Sequence, residues 1–471
     1  MTEIPEGSYR TERDFAGELR VPATMLYGAQ THRAVESFPI SNLRFPRRFI
    51  RILGTIKREA AEVNHELGLL DANLKDAITS AAREVANGDL DQHFVVDVFQ
   101  TGSGTNTNMN ANEVIANRAN HVLGGALGSK SPVHPNDHVN RGQSSNDVIP
   151  TAIHLSALNS IEKDLLPGLR KLQSALEEKS REFDGVVKTG RTHLQDATPI
   201  RLGQEFEGYA GQIERGMTRL RQAQEGLSEV ALGGTAVGTG VNTHPEFAAR
   251  VCARLSEHLA VEIHETRNHF QAQSSLDGVV FASGALKAIA VSLLKIANDI
   301  RWMSSGPRAG LGEITLPETS LSSSIMPGKS NPVIAESVCQ VAAKVIGNDT
   351  TITLGGQYGN FEINVMMPVM AYSLLESIEI LSTATTNFAD RCVTGIRPTG
   401  YGPVSVERSL MMATALAPVI GYDKAAEISK EAHDSGRTIR EVARQMADLS
   451  DEDLNFLLDA RRMTGNRRAS R

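Results

Sequence analysis

One helical face that continues over residues 150–176 constrains the fold of this chain more than any other feature of its sequence. Its apolar residues are spaced by four, four, four, four, three and four positions: Ile153, Ala157, Ile161, Leu165, Leu169, Leu172 and Leu176. This spacing is typical of one side of an α-helix sustained for about seven turns. A helix of this length cannot bury its apolar stripe alone, so the sequence predicts a bundle of long helices.

Other segments support an all-α bundle. Residues 201–230, 272–304 and 363–393 have the pattern of long helices, and 272–304 is apolar on most sides, which predicts burial on most sides. Pro167 and Gly168 predict a kink in the first long helix. Helices this long suggest that the bundle is extended by subunit association. The shorter patterns at 405–418 and 423–447 predict a small separate C-terminal domain.

Composition excludes several classes of protein. Of 471 residues, 41% are hydrophobic and 22% charged, which excludes wholesale disorder, and the net charge of −7 excludes a generally basic nucleic-acid surface. The N-terminus does not resemble a signal or transit peptide, and no run of about 18 uncharged apolar residues predicts a membrane span. Cys252, Cys339 and Cys392 lie too far apart for a disulfide framework or cluster spacing, which predicts reduced thiols in a cytoplasmic protein.

Segments of small polar residues interrupt the predicted helices. In 101–112 (TGSGTNTNMNAN), glycines allow a close backbone approach to a ligand, and Ser103 and Thr105 supply hydroxyls. The alternative is a polar turn before a helix that starts at about residue 112. In 134–147 (HPNDHVNRGQSSND), Ser144, Ser145 and Asn146 precede a helix predicted to begin near Asp147 or Pro150, which is typical of an anion site. Simple N-capping is the alternative for any one of them.

Two further segments contain candidate acid–base groups. His193 in RTHLQDATP is the best candidate for a general acid or base, because imidazole is the side chain best suited to exchanging a proton at neutral pH, although a lone histidine is usually a surface residue. The segment 322–332 (SSSIMPGKSNP) has serine hydroxyls, then Lys329 and Asn331, then Pro332, which opens a helix containing Glu336. A cation, an amide and a helix N-terminus together could stabilise a carboxylate that gains negative charge. The alternative is a flexible surface loop.

The last segment resembles the signature loop of the fumarase/aspartase superfamily, approximately GSSIMPxKxNP. Other blocks are similar specifically to class II fumarases: TGSGTNTNMNANEV, HPNDHVN followed by QSSND, RTHLQDATP, GGTAVGTGVNTHPEF, KIANDIRWMSSGPR, IGND and GYDKAAEI. The blocks occur in the family's order, and the match as a whole runs from about residue 11 to 448 without large gaps. The resemblance implies an all-α, three-domain fold, with an N-terminal domain over 1–142, a central helical bundle over 143–396 and a small C-terminal domain over 397–471.

The resemblance also implies function and assembly. The family adds water or ammonia reversibly across the double bond of fumarate, and its class II fumarases convert fumarate to L-malate without a metal or other cofactor. Its central helices form a homotetrameric helical core, and each active site draws on three chains. Accordingly, we expect a small dicarboxylate substrate, no cofactor, and neither a nucleic-acid nor a membrane partner.

The family's functional residues are matched position by position. The resemblance implies that Ser323 is the base, that Lys329 and Asn331 hold the reacting carboxylate, and that His193, paired with Glu336, positions or protonates water. Residues matched to substrate contacts are Ser103, Gly104, Thr105, Ser144, Ser145, Asn146, Thr192 and Ser324. Residues matched to a second dicarboxylate site near the entrance are His134, Pro135, Asn136 and Asp137.

Two positions depart from the family pattern, because Ser322 replaces the usual glycine before the paired serines and Ser330 replaces a valine. An aspartate ammonia-lyase is the first alternative function, but TGSGT and the Ser-Ser-Asn-Asp stretch match fumarases, whereas aspartases usually have GGAGT and Ser-Thr-Asn-Asp. A catalytically silent structural relative is the second alternative function, and the presence of both Ser323 and Lys329 argues against it.

Overall fold

The computed structural model describes residues 9–318 and 324–465 and has an all-α architecture with short two-stranded sheets. The helices in chain order are α1 Ala29–Ser37, α2 Arg47–Glu66, α3 Ala72–Asn87, α4 Thr105–Val122, α5 Ser145–Ser160, α6 Leu166–Glu182, α7 Leu202–Ser228, α8 Phe247–Leu259, α9 His269–Ser274, α10 Asp277–Met303, α11 Val333–Gly356, α12 Met367–Arg391, α13 Tyr401–Arg408, α14 Ala417–Ile420, α15 Tyr422–Ser435, α16 Ile439–Met446, α17 Asp451–Leu457 and α18 Ala460–Met463.

The strands form pairs rather than a central sheet. They are β1 Tyr9–Asp14, β2 Gly17–Pro22, β3 Val187–Thr192, β4 Gln195–Arg201, β5 Glu229–Val230, β6 His264–Glu265, β7 Ile314–Thr315, β8 Gly359–Asn360, β9 Ile363–Asn364 and β10 Arg397–Pro398. The pairs β1–β2, β3–β4, β7–β10 and β8–β9 are antiparallel, and β5–β6 is parallel.

Contacts divide the chain into two compact units. The first comprises Met1–Leu166, Thr218–Ala288 and Ala343–Leu381, and the second comprises Pro167–Met217, Ile289–Ala342 and Ser382–Arg471. Helices α7, α10, α11 and α12 contribute residues to both units. The three domains expected from the sequence stay a prediction.

The predicted apolar stripe is confirmed, because each of its seven residues from Ile153 to Leu176 is fully buried. The helix that carries it starts earlier than expected, at Ser145, since Ser144 and Asp147 form a capping box. Pro150 therefore lies inside α5 rather than at its start. The predicted irregularity is a π-turn at Ile161–Leu165, which ends two residues before Pro167. Gly168 serves close packing, because a Cβ there would lie 2.8 Å from Thr385 Oγ1.

One other expectation needs correction, and a second is confirmed except along one stripe. The helix expected at about residue 112 begins at Thr105, because Gly104 takes a left-handed conformation (φ 72°) as its N-cap. Helix α10 is buried on most sides, but one stripe stays exposed within one chain: Phe281, Val291 and Trp302 are each about half exposed. It is long and apolar enough to cross a membrane by length and composition alone, with half of its most apolar window buried, but core helices meet the same criterion.

The C-terminal helices surround a small core of their own. Its fully buried centre contains Leu416, Ile428, Val442 and Leu454, contributed by residues around α14 and by α15, α16 and α17. Capping boxes at Thr438–Glu441 and Ser450–Asp453 fix the starts of α16 and α17.

The start of α1 is held by buried carboxylates. Glu113 accepts hydrogen bonds from the backbone N–H groups of Gly28 (2.9 Å), Gln30 (2.9 Å) and Thr31 (3.1 Å). Glu12 accepts one from Ala29 (2.9 Å). The first N–H groups of a helix have no partner inside the helix, so these carboxylates satisfy donors that would otherwise be buried unpaired. Burial raises the pKa of Glu113, while the same N–H donors oppose that shift.

We expect Glu113→Ala to lower the free energy of unfolding by about 3 kcal/mol or more, since each unsatisfied buried donor costs about 1–3 kcal/mol. The control is Glu36→Ala on α1 itself, because the Glu36 side chain is 65% exposed and its removal should change stability by less than about 0.5 kcal/mol. Urea unfolding followed by circular dichroism measures both. Equal losses for the two variants would contradict this account of α1.

Candidate active site

The segment Gln100–Thr105 forms a tight loop before α4. The side-chain amide of Gln100 donates to Thr107 Oγ1 (2.8 Å) and accepts from the backbone N–H of Thr107 (3.0 Å). Ser103 Oγ lies 2.8 Å from Thr105 Oγ1, so two of the predicted substrate contacts are brought together. Gly102 packs directly on the backbone of Val365, because a Cβ at Gly102 would lie 1.9 Å from the Val365 carbonyl oxygen.

The predicted contacts Ser144, Ser145 and Asn146 lie at the start of α5. Ser144 Oγ accepts from the Asn146 N–H, Ser145 Oγ accepts from Asn108 Nδ2 (3.1 Å), and Asn146 Nδ2 donates to the Ala236 carbonyl (2.7 Å). Ser145 is buried, whereas its two neighbours are partly exposed. Capping and ligand binding are therefore compatible here, because the half-exposed side chains stand at the positive end of a helix.

The buried side chain of Asp147 holds the start of α5 in place. Its Oδ1 accepts the Ser144 N–H (2.9 Å), and its Oδ2 accepts the N–H groups of Gly233 (3.1 Å) and Thr235 (2.9 Å). The carboxylate is fully buried, and burial raises its pKa to about 6 although these three donors lower it. The Gly-rich segment 232–243 is thereby joined to the Ser144–Asn146 group. Sequence reasoning treated Asp147 only as a possible helix start, but the Ser-x-x-Asp spacing signals this capping role.

The second dicarboxylate site predicted at His134–Asp137 is a compact turn. His134 Nδ1 accepts from the N–H groups of Asn136 (3.2 Å) and Asp137 (3.1 Å), which caps the π-turn Pro135–Val139. Asn136 and Asp137 line a cavity of about 670 Å³ together with the segment 140–143 and residues 242–245. Polar and charged side chains line this cavity, so it can accommodate a small polar ligand.

His193 lies at the tip of the β3–β4 hairpin. Thr192 pairs with Gln195, so His193 and Leu194 form a two-residue loop in which both residues have positive φ, 56° and 58°. Such loops usually contain Asn-Gly, because a left-handed non-glycine residue costs roughly 1–2 kcal/mol. Both side chains of the loop, and that of Thr192, are exposed. The hairpin therefore presents Thr192 and His193 outward in a conformation that the local sequence does not favour.

A buried ion network holds the base of this hairpin. Glu313 forms an ion pair with Lys188 Nζ (3.0 Å) and accepts a hydrogen bond from an Arg191 guanidinium nitrogen (2.8 Å), and Lys188 also binds Glu205 (2.7 Å). Side chains of Lys188 and Glu313 are only 2% exposed. Because a buried charge is stable only with a partner, this network fixes the strands that carry Thr192 and His193. Glu313 was not predicted, and nothing local in its sequence marks it.

Ser323, the predicted base, and Ser322 lie outside the described residues. From Ser324 to Ser330 the chain is exposed, and Lys329 Nζ donates to Asn331 Oδ1 (2.6 Å). These two predicted carboxylate contacts are thus adjacent, two and four residues before α11. Glu336 lies in the first turn of α11 and is partly buried. Among the described residues of one chain, no hydrogen bond or ion pair joins Glu336 to His193, and their pairing stays a prediction.

The predicted site residues thus form separate groups. Within the first unit lie the Ser103–Thr105, Ser144–Asn146 and His134–Asp137 groups, and within the second lie the Thr192–His193 and Ser324–Glu336 groups. Among residues 9–318 and 324–465, no cluster of three or more His, Cys, Asp or Glu side chains could hold a metal ion. Cys252 and Cys392 are buried free thiols, and burial raises the pKa of each to about 12.

Comparisons with known proteins assign the family. The family described as "Lyase" matches residues 17–347, and "Fumarase C C-terminus" matches residues 412–465. With the all-α fold, these matches define a protein of the lyase class.

The chain is 51% identical to the "Fumarate hydratase class II" of Methylorubrum extorquens, with 96% of each chain covered, and 53% identical to that of Halobacterium salinarum, with 97% of each covered. The crystal structure of a recombinant class II fumarase from Schistosoma mansoni superposes with a TM-score of 0.95 at 37% identity, covering 97% of this chain and 99% of that one. The chain therefore belongs to the family of class II fumarate hydratases.

We expect Gly102→Ala to displace the Ser103–Thr105 loop, because the added Cβ would collide with the Val365 carbonyl, and to reduce catalytic activity by at least about tenfold through misplacement of the site. The control is Gly208→Ala in α7, where a Cβ meets nothing within 4 Å. Steady-state assays with L-malate compare the variants. If Gly102→Ala kept wild-type activity, the loop would not be the rigid part of the site described above.

Proposed function

We propose that this protein is a fumarate hydratase that catalyses the reversible anti addition of water to fumarate to form L-malate, a step of the citric acid cycle. The observation that carries the proposal is its identity of about 50% over nearly its full length to class II fumarate hydratases. The contact of Lys329 with Asn331 before α11 supports it, because a cation and an amide converge where a carboxylate could bind. The proposed location is the cytoplasm, and the proposed reaction needs no metal or cofactor.

The proposed reaction proceeds in two steps. In the dehydration direction, Ser323 removes a proton from the carbon next to one carboxylate of L-malate, giving an aci-carboxylate dianion. Lys329, Asn331 and the positive end of α11 stabilise its additional negative charge. The hydroxyl on the neighbouring carbon then accepts a proton and leaves as water, with His193 and Glu336 supplying or positioning that proton. Serine is a poor base, so the proposal requires backbone donors that stabilise its alkoxide.

The remaining polar groups are proposed to bind the substrate. Ser103, Gly104, Thr105, Ser144, Ser145, Asn146, Thr192 and Ser324 would donate hydrogen bonds to the carboxylates of fumarate or L-malate. Neutral donors suit this task, because they bind an anion without trapping it as strongly as a second cation would. His134, Pro135, Asn136 and Asp137 are proposed as a second dicarboxylate site, supported by the cavity that Asn136 and Asp137 line.

The proposed assembly is a homotetramer with active sites shared between chains. It is supported by large apolar side chains that one chain leaves exposed on its long helices and near them: Phe281 (55%), Val291 (52%), Leu354 (52%) and Phe361 (94%). Exposed apolar patches mark association sites, and these side chains would contribute to such patches in the proposed tetramer. Sharing of sites would also explain why the groups that are predicted to act together are carried by separate parts of one chain.

An assay with two substrates tests the proposed activity. Purified protein incubated with L-malate should produce fumarate, measured by its ultraviolet absorbance, and incubation with L-aspartate should produce none. Fumarate from L-aspartate but not from L-malate would establish an aspartate ammonia-lyase instead. Absence of fumarate from both substrates would support a catalytically silent relative.

A pair of serine variants tests the proposed base. Ser323→Ala should lower kcat by at least about 100-fold, since proton transfer by a positioned group contributes about 10²–10⁴. The matched control is Ser322→Ala, which should change kcat much less. Light scattering should show both variants as tetramers, so that loss of assembly does not explain the loss of rate. If Ser322→Ala were the damaging change, the assignment of the base would be wrong.

A further inference from the structure

Lys57 is a buried ammonium that the proposed reaction does not use. It lies in α2 and is 0% exposed. Its Nζ donates to Asn140 Oδ1 (2.9 Å) and to Gln143 Oε1 (3.0 Å). Both acceptors belong to the four-residue segment Asn140–Gln143, which links the π-turn of the proposed second site to the start of α5.

A second side chain of α2 holds the same segment. Asn64 lies seven residues after Lys57, two helical turns along the same face, and is 1% exposed. Its Nδ2 donates to the carbonyl oxygen of Arg141 (3.1 Å). Lys57 and Asn64 together therefore contact Asn140, Arg141 and Gln143. The segment has little regular structure of its own, so these side-chain bonds determine its position.

The segment is joined to the proposed substrate contacts. Asn140 Oδ1 accepts from Asn108 Nδ2 (3.2 Å), and the same amide nitrogen donates to Ser145 Oγ (3.1 Å). Asn140 Nδ2 donates to the backbone carbonyl of Gln143 (3.1 Å), one residue before Ser144. Two routes, one through Asn108 and one along the chain, therefore connect Lys57 to the Ser144–Asn146 group.

The electrostatics show that this ammonium is retained at a cost. Burial lowers the pKa of Lys57 to about 7, and the Asp147 carboxylate opposes that shift. Lys57 is attracted by Asp147 without a direct ion pair, and its described hydrogen bonds go to neutral amide oxygens. A buried apolar residue of similar length would avoid the desolvation cost. The Lys57 amine donates hydrogen bonds to Asn140 and Gln143 that an apolar side chain could not form, and these bonds are stronger when the amine is protonated.

We infer that Lys57 is a positioning residue that clamps the Asn140–Gln143 segment and thereby holds Ser144, Ser145 and Asn146 in the geometry that binds the dicarboxylate substrate. This inference rests on the proposed function for the identity of the substrate. The clamp itself rests on the contacts within the first unit.

Lys57→Met tests the clamp, because methionine preserves most of the side-chain length and removes the donor. We expect KM for L-malate to rise at least about tenfold with kcat changed less than about threefold, since groups that bind substrate and transition state equally affect KM alone. Amide hydrogen exchange of residues 140–147 and 233–235 should become faster. The control is Ile56→Ala, which creates a cavity at a fully buried neighbour and should lower stability without changing KM.

The outcomes separate the inference from the proposed function. If Lys57→Met lowered stability but left KM and the exchange of 140–147 unchanged, Lys57 would be merely structural and the inference would be wrong. If the wild-type protein did not act on L-malate, the proposed function would fail, while hydrogen exchange would still test the clamp. Should Lys57→Met not fold, Gln143→Leu removes one acceptor at a half-buried position and should raise KM about threefold. An unchanged KM and exchange rate in that variant would also overturn the inference.

Discussion

The buried carboxylate of Asp147 is the interaction on which the polar loops of the first unit depend. It accepts hydrogen bonds from the N–H of Ser144 and from the N–H groups of Gly233 and Thr235, which lie 86 and 88 residues after Asp147 in the chain. These donors belong to irregular segments that cannot satisfy them in a helix or sheet. One carboxylate thus caps α5 and fixes a Gly-rich loop, so the helix scaffold determines where the small polar side chains stand.

Periodicity revealed the scaffold but not where its helices begin. Burial of one helix face requires apolar side chains at a spacing of three and four residues. The stripe from Ile153 to Leu176 has this spacing, and each of its residues is buried. The start of α4 at Thr105 was missed because its first turns are rich in asparagine. Asn108, Asn110 and Asn112 are buried there, and two of them bond to other segments: Asn108 Nδ2 donates to Ser145 Oγ, and Asn110 Nδ2 donates to the His93 carbonyl. Such tertiary bonds override local propensity and leave no apolar pattern.

The candidate site shows a similar limit. Resemblance indicated Thr192 and His193, but not that His193 and Leu194 would both adopt left-handed conformations, because His-Leu lacks the turn residues that favour them. That conformation persists where surrounding structure determines it, and here the Lys188, Arg191 and Glu313 network fixes the hairpin base. Lys57 and Glu313 support the polar loops and the hairpin from distant positions in the sequence, so only the folded chain reveals their contacts.

A crystal structure of the assembled protein with succinate, a saturated diacid that cannot eliminate water, tests the central claim most directly. The account predicts one carboxylate within about 3.2 Å of Lys329 Nζ and the Asn331 amide, and hydroxyls of the Ser144–Asn146 group from another chain at hydrogen-bond distance from the diacid. Ser323 Oγ should then lie in contact with a methylene carbon. A bound diacid remote from Lys329, or with the Ser323 hydroxyl directed away from its methylene groups, would contradict the account.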